Sequence, residues 1–426
     1  MDLRERLREI LASDVWNMLI RVKETAVSLN MPVYLIGGPV RDLLLNVLPT
    51  DLDIIIEGDA IQVAQKMAKQ YGGNLTVHHP FGTAVWHFES IAQEVNQKSG
   101  PSTFIHAFDF VTTRKESYAH PAALPTVVPS HLLDDLKRRD FPINAMGIRL
   151  DGDAWGELID PLGGWQDMQA SVVRVLHDKS FIDDPTRIFR AVRYAMRLQY
   201  DIEPHTVTLL QEALPVLNQT TGVRLWHEFE RIFQEPFPEQ IMSRLQTLGV
   251  LAKVAPGLRW QENTAVLFKR ARDSHASVFI YFALWLLSLS QKVETAVFER
   301  FAVPVKVQQE LKLIRRCLQA IQALPDDAKP SQVVPNLRPL TSNGLIVLQT
   351  ILDQPIQKTW LSKYQNEWQH ISPTVNGDVL IAKGLKPSAQ FKKILDLIDA
   401  AWLDGEIVDT ASENAYLDQI ITQYLS

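Results

Sequence analysis

The sequence is poor in cysteine and lacks a long apolar run. Cys317 is the single cysteine among 426 residues, which excludes an internal disulfide and a cysteine-based zinc site. No stretch approaches the roughly 18 consecutive apolar residues that a membrane-spanning helix needs. The first ten residues, MDLRERLREI, are charged, unlike a secretory signal. We therefore expect a cytoplasmic protein with no membrane partner.

The chain also lacks an excess of positive charge. Its formal net charge is -6, which argues against a uniformly basic surface of the kind that coats nucleic acid. A local basic groove remains compatible with this total, because phosphate contacts depend on where the charges lie. At this length one ordinary core is insufficient, and two to four domains are expected.

The order of strand and helix patterns predicts an α+β protein. Residues 4–29 repeat apolar side chains at helical spacing and are predicted to form an amphipathic helix. Strand patterns lie at 33–36, 52–56, 74–78, 83–88 and 104–113. From about residue 180 helix patterns dominate. The proline-rich segment at 324–339 is the best candidate for an inter-domain loop, although a helical bundle could also contain it.

Two aspartates stand two residues apart in the second strand pattern. Alternate strand residues face the same side, so Asp51 and Asp53 should project together while Leu52 and Ile54 enter the core. Adjacent carboxylates repel each other unless cations or water compensate, and oxygen ligands at this spacing suit Mg²⁺. The pair alone leaves a second interpretation open, in which Asp51 only closes a turn at a solvated strand end.

Three further features accompany this pair. Gly37 and Gly38 follow a strand pattern and precede a helix, so that backbone N–H groups could approach a phosphate. Asp109 is either a third carboxylate for the same metals or an isolated polar residue on an edge strand. The third feature is a charged trio, Arg138, Arg139 and Asp140. This trio could reach ribose and triphosphate, or it could be a solvated face.

Together these motifs resemble the class II, bacterial-type tRNA nucleotidyltransferase and poly(A) polymerase family. The shared motifs are GGPVRD (37–42), DLD (51–53), the strand that contains Asp109, RRDFPIN (138–144), LIDPLGGWQDM (158–168) and FIDDPTRIFRAVRYAMRL (181–198). The resemblance is specific from about 33 to 235 and weaker beyond. It implies a polymerase-beta-like nucleotidyltransferase head at 1–150, an all-α neck at 151–260 that recognises the base, and an all-α body and tail at 261–426 that bind tRNA.

The resemblance also implies roles for individual residues. Asp51 and Asp53 would be the metal ligands, with Mg²⁺ as cofactor and Asp109 as a further catalytic carboxylate. The residues implied on the phosphate side are Gly37, Gly38 and Arg41. The residues implied to sense the ribose are Arg138, Arg139 and Asp140. Asp184 and Arg187 would read the base, because C and A both present an amino donor beside a ring-nitrogen acceptor.

Residues 183–199 are predicted to form a helix. Asp184 is the expected N-cap, and Pro185 is expected as its first residue. One face of this helix carries three arginines: Arg190, Arg193 and Arg197. We include Arg190 and Arg193 among the nucleotide-binding candidates, although the spacing fits a solvated cationic stripe equally well. Further along, Arg224 is expected to pair with Glu228 at i, i+4.

The implied activity is template-independent addition of CCA, or of its C or A part, to the tRNA 3′ end from CTP and ATP. DNA is not an expected partner. The segment at 115–135 lacks the acidic and basic cluster of some CCA-adding members, so an A-adding enzyme or a poly(A) polymerase stays open. An inactive RNA-binding module is the alternative from another class, and the retained acidic positions argue against it.

Overall fold

A computed structural model describes residues 1–88, 105–123 and 125–425 of the chain. It divides into two compact units. The first comprises Met1–Glu228 and Thr247–Val254, and the second comprises Phe229–Gln246 and Ala255–Ser426. The three-part division with boundaries at 150 and 260 stays a prediction.

The strands lie in the first unit and form one large mixed sheet with two small ones. Their bounds are β1 Val33–Ile36, β2 Asp53–Ile56, β3 Asn74–His78, β4 Thr83–His87, β5 Ala107–Thr112, β6 Arg114–Ser117, β7 Thr126–Pro129, β8 Gly147–Arg149, β9 Leu158–Ile159, β10 Val172–Val173 and β11 Asp201–Ile202. The large sheet has the order β3-β4-β5-β2-β1-β8-β9. The predicted strand at 104–113 is observed as β5, and Phe104 lies outside the described residues.

Helices flank this sheet and make up most of the remaining described chain. The bounds up to residue 233 are α1 Arg4–Ile10, α2 Ser13–Ser28, α3 Gly38–Leu44, α4 Ala60–Tyr71, α5 Leu132–Lys137, α6 Gly164–Ala170, α7 Ser180–Asp183, α8 Arg187–Leu198, α9 Pro204–Ala213 and α10 Gly222–Phe233. The later bounds are α11 Pro238–Thr247, α12 Val250–Val254, α13 Glu262–Asp273, α14 Val278–Leu287, α15 Gln291–Arg300, α16 Val305–Ala323, α17 Pro330–Leu337, α18 Ser342–Ile351, α19 Pro355–Asn366, α20 Gly377–Ala382, α21 Ala389–Leu403 and α22 Thr410–Leu425. The mixed sheet with its helices confirms the predicted α+β class.

Strand β2 is central to the large sheet and positions the candidate site. It pairs with β5 in parallel and with β1 in antiparallel orientation. Leu52 and Ile54 are fully buried, as predicted, and so are Ile55 and Ile56. Successive residues of a strand face opposite sides, so the burial of Ile54, Ile55 and Ile56 shows that both faces of β2 are covered. Polar residues are therefore accommodated at the amino end of β2.

Two sequence expectations about helices and loops were wrong. Residues 4–29 form two helices rather than one, because Leu11 adopts an extended backbone that ends α1. The segment predicted as an inter-domain loop contains α17, with Pro330 in its first turn and Pro335 inside it. Proline suits the first turn, where its missing N–H is not needed, so a proline-rich stretch here did not mark a loop.

The second unit has an aromatic core of its own. Phe233 and Phe268 meet edge to face at 5.9 Å between centroids, and Phe229 lies 5.1 Å from Trp285. Helices α20 to α22 enclose a separate apolar cluster that includes Leu380, Ile394, Ile398 and Leu417. Across the part of the chain that the structure describes, the helices are all too short or too polar to cross a membrane.

Candidate active site

Three carboxylates lie at the amino ends of the two parallel strands. Asp53 is the first residue of β2 and stands directly opposite Asp109 of β5. The backbone N–H of Asp109 donates to the Leu52 carbonyl at 3.1 Å, which fixes the register of the two strands here. Asp51 lies in the bend just before β2 rather than in the strand, where the sequence had predicted it, and it is more exposed than Asp53. The structure thus brings the three predicted catalytic residues into one neighbourhood.

Burial and mutual repulsion disfavour the charged forms of these carboxyls. Burial, reinforced by the charge of Asp51, raises the pKa of Asp53 from 3.8 to about 6, although Arg139 opposes this rise. Burial and the charge of Asp42 raise the pKa of Asp51. Burial and the charge of Asp51 raise the pKa of Asp109. A group of carboxyls that repel one another is a site where a cation would bind favourably.

The donor set fits a hard divalent cation. Asp51 and Asp53 supply oxygen ligands only, which Mg²⁺ prefers, and such sites are commonly completed by water and substrate phosphates. Within residues 1–88, 105–123 and 125–425, no three His, Cys, Asp or Glu side chains are grouped so as to hold a metal. Asp109 lies directly opposite Asp53 in the register of β2 and β5.

The turn between β1 and α3 is one that only glycine fits well. Gly37 has φ +86°, a conformation that side chains disfavour. A Cβ there would lie 2.8 Å from a guanidinium nitrogen of Arg139 and 3.7 Å from Oδ2 of Asp53. Gly38 begins α3, with Pro39 in its first turn. The missing side chain lets the backbone, Arg139 and Asp53 come close together.

Arg138 and Arg139 are held by acidic residues that the sequence analysis did not single out. Asp135 accepts from Arg138 at 2.7 Å and from Arg139 at 3.2 Å. Glu116 accepts from Arg138 at 2.9 Å. The spacing of Asp135, three and four residues before the arginines on one helical turn, could have identified it. No local signal could have identified Glu116, because it lies 22 residues away.

Asp140 is a buried partner of the following helix. It accepts from Nε of Arg190 at 2.7 Å and from Asn144 at 3.2 Å. Burial alone would raise the pKa of Asp140, but the charge and hydrogen bond of Arg190 keep it below the ordinary value. Burial alone would lower the pKa of Arg190, but Asp140 raises it. Arg190, whose side chain is 28% exposed, is thus the partner of a buried carboxylate and not part of a solvated stripe.

The other arginines of the candidate set are also largely enclosed. Arg41 is buried and donates to Asn144 at 2.6 Å and to Asp42 at 2.7 Å. Four guanidinium groups lie 5.3–5.6 Å from the ring centre of Tyr194: Arg41, Arg190, Arg193 and Arg197. Of these, Arg197 is exposed. The helix face predicted as a phosphate-binding or solvated stripe is mostly a packed cluster around one tyrosine.

The predicted pair of Asp184 and Arg187 has different partners in the structure. Oδ1 of Asp184 accepts from Arg224 at 2.6 Å and from both the N–H and the hydroxyl of Thr186. Arg187 is buried and donates to Ser180 and to the backbone carbonyl of Arg138. Helix α8 begins at Arg187, so the predicted start at Pro185 was wrong. Asp184 nevertheless has the extended backbone of an N-cap, and the Thr186 N–H donates to its carboxylate at 3.0 Å, so the predicted capping hydrogen bond is present.

The expected pairing of Arg224 with Glu228 was also wrong. Arg224 donates to Asp184 and to the Ala122 carbonyl. Glu228 is buried and lies 3.7 Å from Arg193. Burial, the largest effect, lowers the pKa of Arg193 although Glu228 opposes it. The i, i+4 spacing allowed a local pair, but each residue lies closer to a charge from another helix.

Comparisons with known proteins agree with this architecture. The poly A polymerase head domain family matches residues 33–174. A second family, described as the probable RNA and SrmB-binding site of polymerase A, matches residues 199–261. The first match falls within the region where the sequence motifs are most specific, and the second extends beyond it to residue 261.

Relatives with similar sequences are named as A-adding enzymes. The chain is 34% identical to the A-adding tRNA nucleotidyltransferase of Halalkalibacterium halodurans over 421 residues, which cover 95% of this chain and 92% of that protein. It is 33% identical to the A-adding tRNA nucleotidyltransferase of Geobacter sulfurreducens over 89% of this chain, which spans only 44% of that longer protein.

Solved structures extend the likeness over the whole chain. A CCA-adding enzyme in an apo form matches with a TM-score of 0.81 and 28% identity, covering 99% of both chains. The Thermotoga maritima CCA-adding enzyme complexed with tRNA matches with a TM-score of 0.74 and 27% identity, over 100% of this chain and 99% of that one. Complexes of CCA-adding enzyme with ATP and with CTP match at TM-scores of 0.76 and 0.74. The chain therefore belongs to the family of tRNA nucleotidyltransferases and poly(A) polymerases.

Proposed function

We propose that this protein is a cytoplasmic, template-independent tRNA nucleotidyltransferase. It adds CCA, or its C or A part, to the tRNA 3′ end from CTP and ATP. The observation that carries the proposal is the position of Asp53, which lies beside the Gly37 turn and Arg139 and within the influence of the Asp51 charge. This arrangement provides cation ligands, a close backbone approach and a guanidinium at one place. The names and bound molecules of the similar enzymes support tRNA, ATP and CTP as partners.

Enzymes of this family are generally metal-dependent. In this chain Asp51 and Asp53 would hold Mg²⁺, with Asp109 as a neighbouring catalytic carboxylate. A cation held there would activate the RNA 3′-hydroxyl and neutralise charge on the phosphates. The turn at Gly37 and Gly38 lets phosphate oxygens approach the backbone. Because Asp53 begins a rigid central strand, its carboxylate is held more precisely than a loop residue would be.

The arginines and Asp140 would bind the nucleotide beside these carboxylates. Arg138 and Arg139 are partly accessible, with side chains 16% and 17% exposed, so they remain candidates for direct contact with ribose and triphosphate. Arg41, Arg193 and Asp140 are more enclosed, with side chains 5%, 7% and 6% exposed, and would support the site through their ion pairs. Arg190, 28% exposed, holds Asp140 in an ion pair and is still accessible to a nucleotide.

Base selection would depend on Asp184. Its carboxylate can accept the amino N–H that cytosine and adenine share, while a guanidinium donates to the ring nitrogen. Uracil and guanine present the opposite pattern and would be rejected, because an unmatched polar edge in a closed site is costly. Arg187 is the guanidinium that the family resemblance designates, and Arg224 is the one hydrogen-bonded to Asp184 here.

The deciding experiment uses defined tRNA acceptors. Purified protein is incubated with Mg²⁺ and labelled CTP or ATP, and with tRNA that ends before CCA, tRNA that ends in CC, or no tRNA. Incorporation of CMP and then AMP indicates complete CCA addition, and AMP transfer to the CC end alone indicates an A-adding enzyme. Long AMP tracts on unrelated RNA would indicate a poly(A) polymerase. Absence of transfer to every acceptor would refute the proposal.

A further inference from the structure

Asp135 divides its two carboxylate oxygens between two neighbouring arginines. Oδ1 accepts from Nε and a terminal nitrogen of Arg138 at 2.9 and 2.7 Å. Oδ2 accepts from Nε and a terminal nitrogen of Arg139 at 3.4 and 3.2 Å. The Asp135 side chain is fully buried. One carboxylate therefore sets the separation of the two guanidinium groups.

Glu116 holds Arg138 from the opposite side and belongs to a separate strand, β6. Its Oε1 accepts from Arg138 at 2.9 Å and from Arg114 at 3.3 Å, and its Oε2 accepts from the Tyr118 hydroxyl at 3.0 Å. The Glu116 side chain is only 8% exposed. Arg138 is thus fixed by two carboxylates that arrive from different elements.

The backbone of Arg138 is fixed as well. Its carbonyl accepts from Arg187 at 2.8 Å, and the backbone N–H of Arg114 donates to Asp135 at 3.3 Å. Because carboxylates and guanidiniums in such enclosed pairs form strong hydrogen bonds, neither arginine can rotate without breaking several of them. The network is a rigid support.

The network reaches the carboxylates of the candidate active site through Arg139. Arg139 donates to the Asn144 carbonyl at 3.2 Å and lies against the Gly37 turn, where Oδ2 of Asp53 also lies. Within the network the guanidinium groups of Arg138 and Arg139 share Asp135, and those of Arg114 and Arg138 share Glu116.

We propose that Asp135 and Glu116, the acid pair, are positioning residues for nucleotide binding. The acid pair holds Arg138 and Arg139 at a fixed separation, so that both guanidiniums meet a nucleoside triphosphate without reorganisation. Preorganised donors bind more tightly because less conformational freedom is lost on binding. This inference rests on the proposed function, in which the two arginines contact the nucleotide, and it adds the residues that determine their geometry.

The test measures ATP binding by calorimetry and the KM for ATP with tRNA that ends in CC. Asp135→Asn keeps the shape of the side chain but replaces one carboxylate oxygen by an NH₂ group. The guanidinium that faces this NH₂ group loses its hydrogen-bond acceptor. We expect the Kd and the KM for ATP to rise at least tenfold. Glu116→Gln should raise them by roughly threefold, since Arg138 keeps its contact with Asp135. The matched control is Asp134→Asn, the adjacent acid on α5, whose carboxylate accepts from Ser130.

A variant that lacks both arginines distinguishes a positioning role from a general loss of stability. In a protein that carries Arg138→Gln and Arg139→Gln, the further change Asp135→Asn should alter the ATP Kd by less than twofold, because no arginine remains to be positioned. A purely structural role would give the same loss in both backgrounds. Should Asp135→Asn fail to fold, the Glu116→Gln variant carries the same comparison with Arg138→Gln alone.

Two results distinguish the inference from the proposed function. An unchanged ATP Kd in folded Asp135→Asn or Glu116→Gln protein would overturn the positioning role even if tRNA is extended normally. Conversely, ATP binding that depends on the acid pair in a protein that extends no tRNA would refute the proposed function and leave the positioning role intact.

Discussion

Replacing Asp53 by asparagine should stabilise the fold while it removes activity. The pKa of Asp53 is raised from 3.8 to about 6 by burial and by the charge of Asp51. At neutral pH the folded protein therefore keeps a carboxylate charged in a place that favours the neutral acid. Asparagine has the same shape and no charge, so it removes this cost.

The expected gain in the free energy of unfolding follows from the pKa shift of Asp53. A difference of about two pKa units corresponds to about 3 kcal/mol, since one unit is about 1.36 kcal/mol. Because the folded-state pKa lies above the unfolded value, the folded protein binds more protons between about pH 4 and 6. The stability that Asp53 contributes therefore falls as pH rises through that window. Above about pH 6 the full cost is present, and below about pH 4 it vanishes.

Thermal unfolding in the presence of a chelator measures this effect. At pH 7.5 the Asp53→Asn protein should unfold at a temperature roughly 6–12 °C above wild type, taking about 2–4 °C per kcal/mol for a unit of this size. At pH 4 the two proteins should unfold together. Adding Mg²⁺ should stabilise wild type by mass action and have little effect on the variant.

The control is Asp153→Asn, an exposed acid in a turn of the same unit, for which we expect no pH-dependent change. Equal or lower stability of Asp53→Asn at pH 7.5 would refute the reasoning, and so would the same gain at pH 4. A variant with at least a tenth of wild-type transfer activity would refute the assignment of Asp53 as a metal ligand.

Three further predictions follow from other parts of the site. Gly37→Ala should lose about 1–3 kcal/mol of stability because of its positive φ, and its transfer rate should fall at least tenfold as the added carbon displaces the nearby guanidinium; urea unfolding and single-turnover assays measure both. Arg190→Met should lose about 3 kcal/mol in urea unfolding, because buried Asp140 is left without its charged partner, and a loss below about 1 kcal/mol would contradict a stabilising ion pair. Asp184→Asn should stay folded but lose roughly 5- to 150-fold in discrimination against UTP and GTP, equivalent to about 1–3 kcal/mol; single-nucleotide incorporation with the four triphosphates checks this, and unchanged selectivity would leave Asp184 a structural partner of Thr186.

Local patterns in the sequence were sufficient for the elements that carry the site. Strand β2 is a run of isoleucines after an aspartate pair, and its alternation and apolar content predict its position to within a residue. The glycine pair before α3 and the glycines after α4 likewise mark where backbone direction changes. These signals lie within a few residues of the features that they predict, which is why they could be read without the fold.

The partners of the buried charges were decided only by the tertiary structure. Asp140 and Arg190 are 50 residues apart, Asp184 and Arg224 are 40 apart, and Arg41 and Asn144 are 103 apart. Local spacing suggested other pairs, because helix neighbours three or four residues apart can always meet at a surface. Once a helix is buried, each charge must find a partner within the packed interior, and that partner is supplied by whichever segment the fold brings alongside. The sequence thus determined the elements and the kind of chemistry, and the packing determined which charges support it.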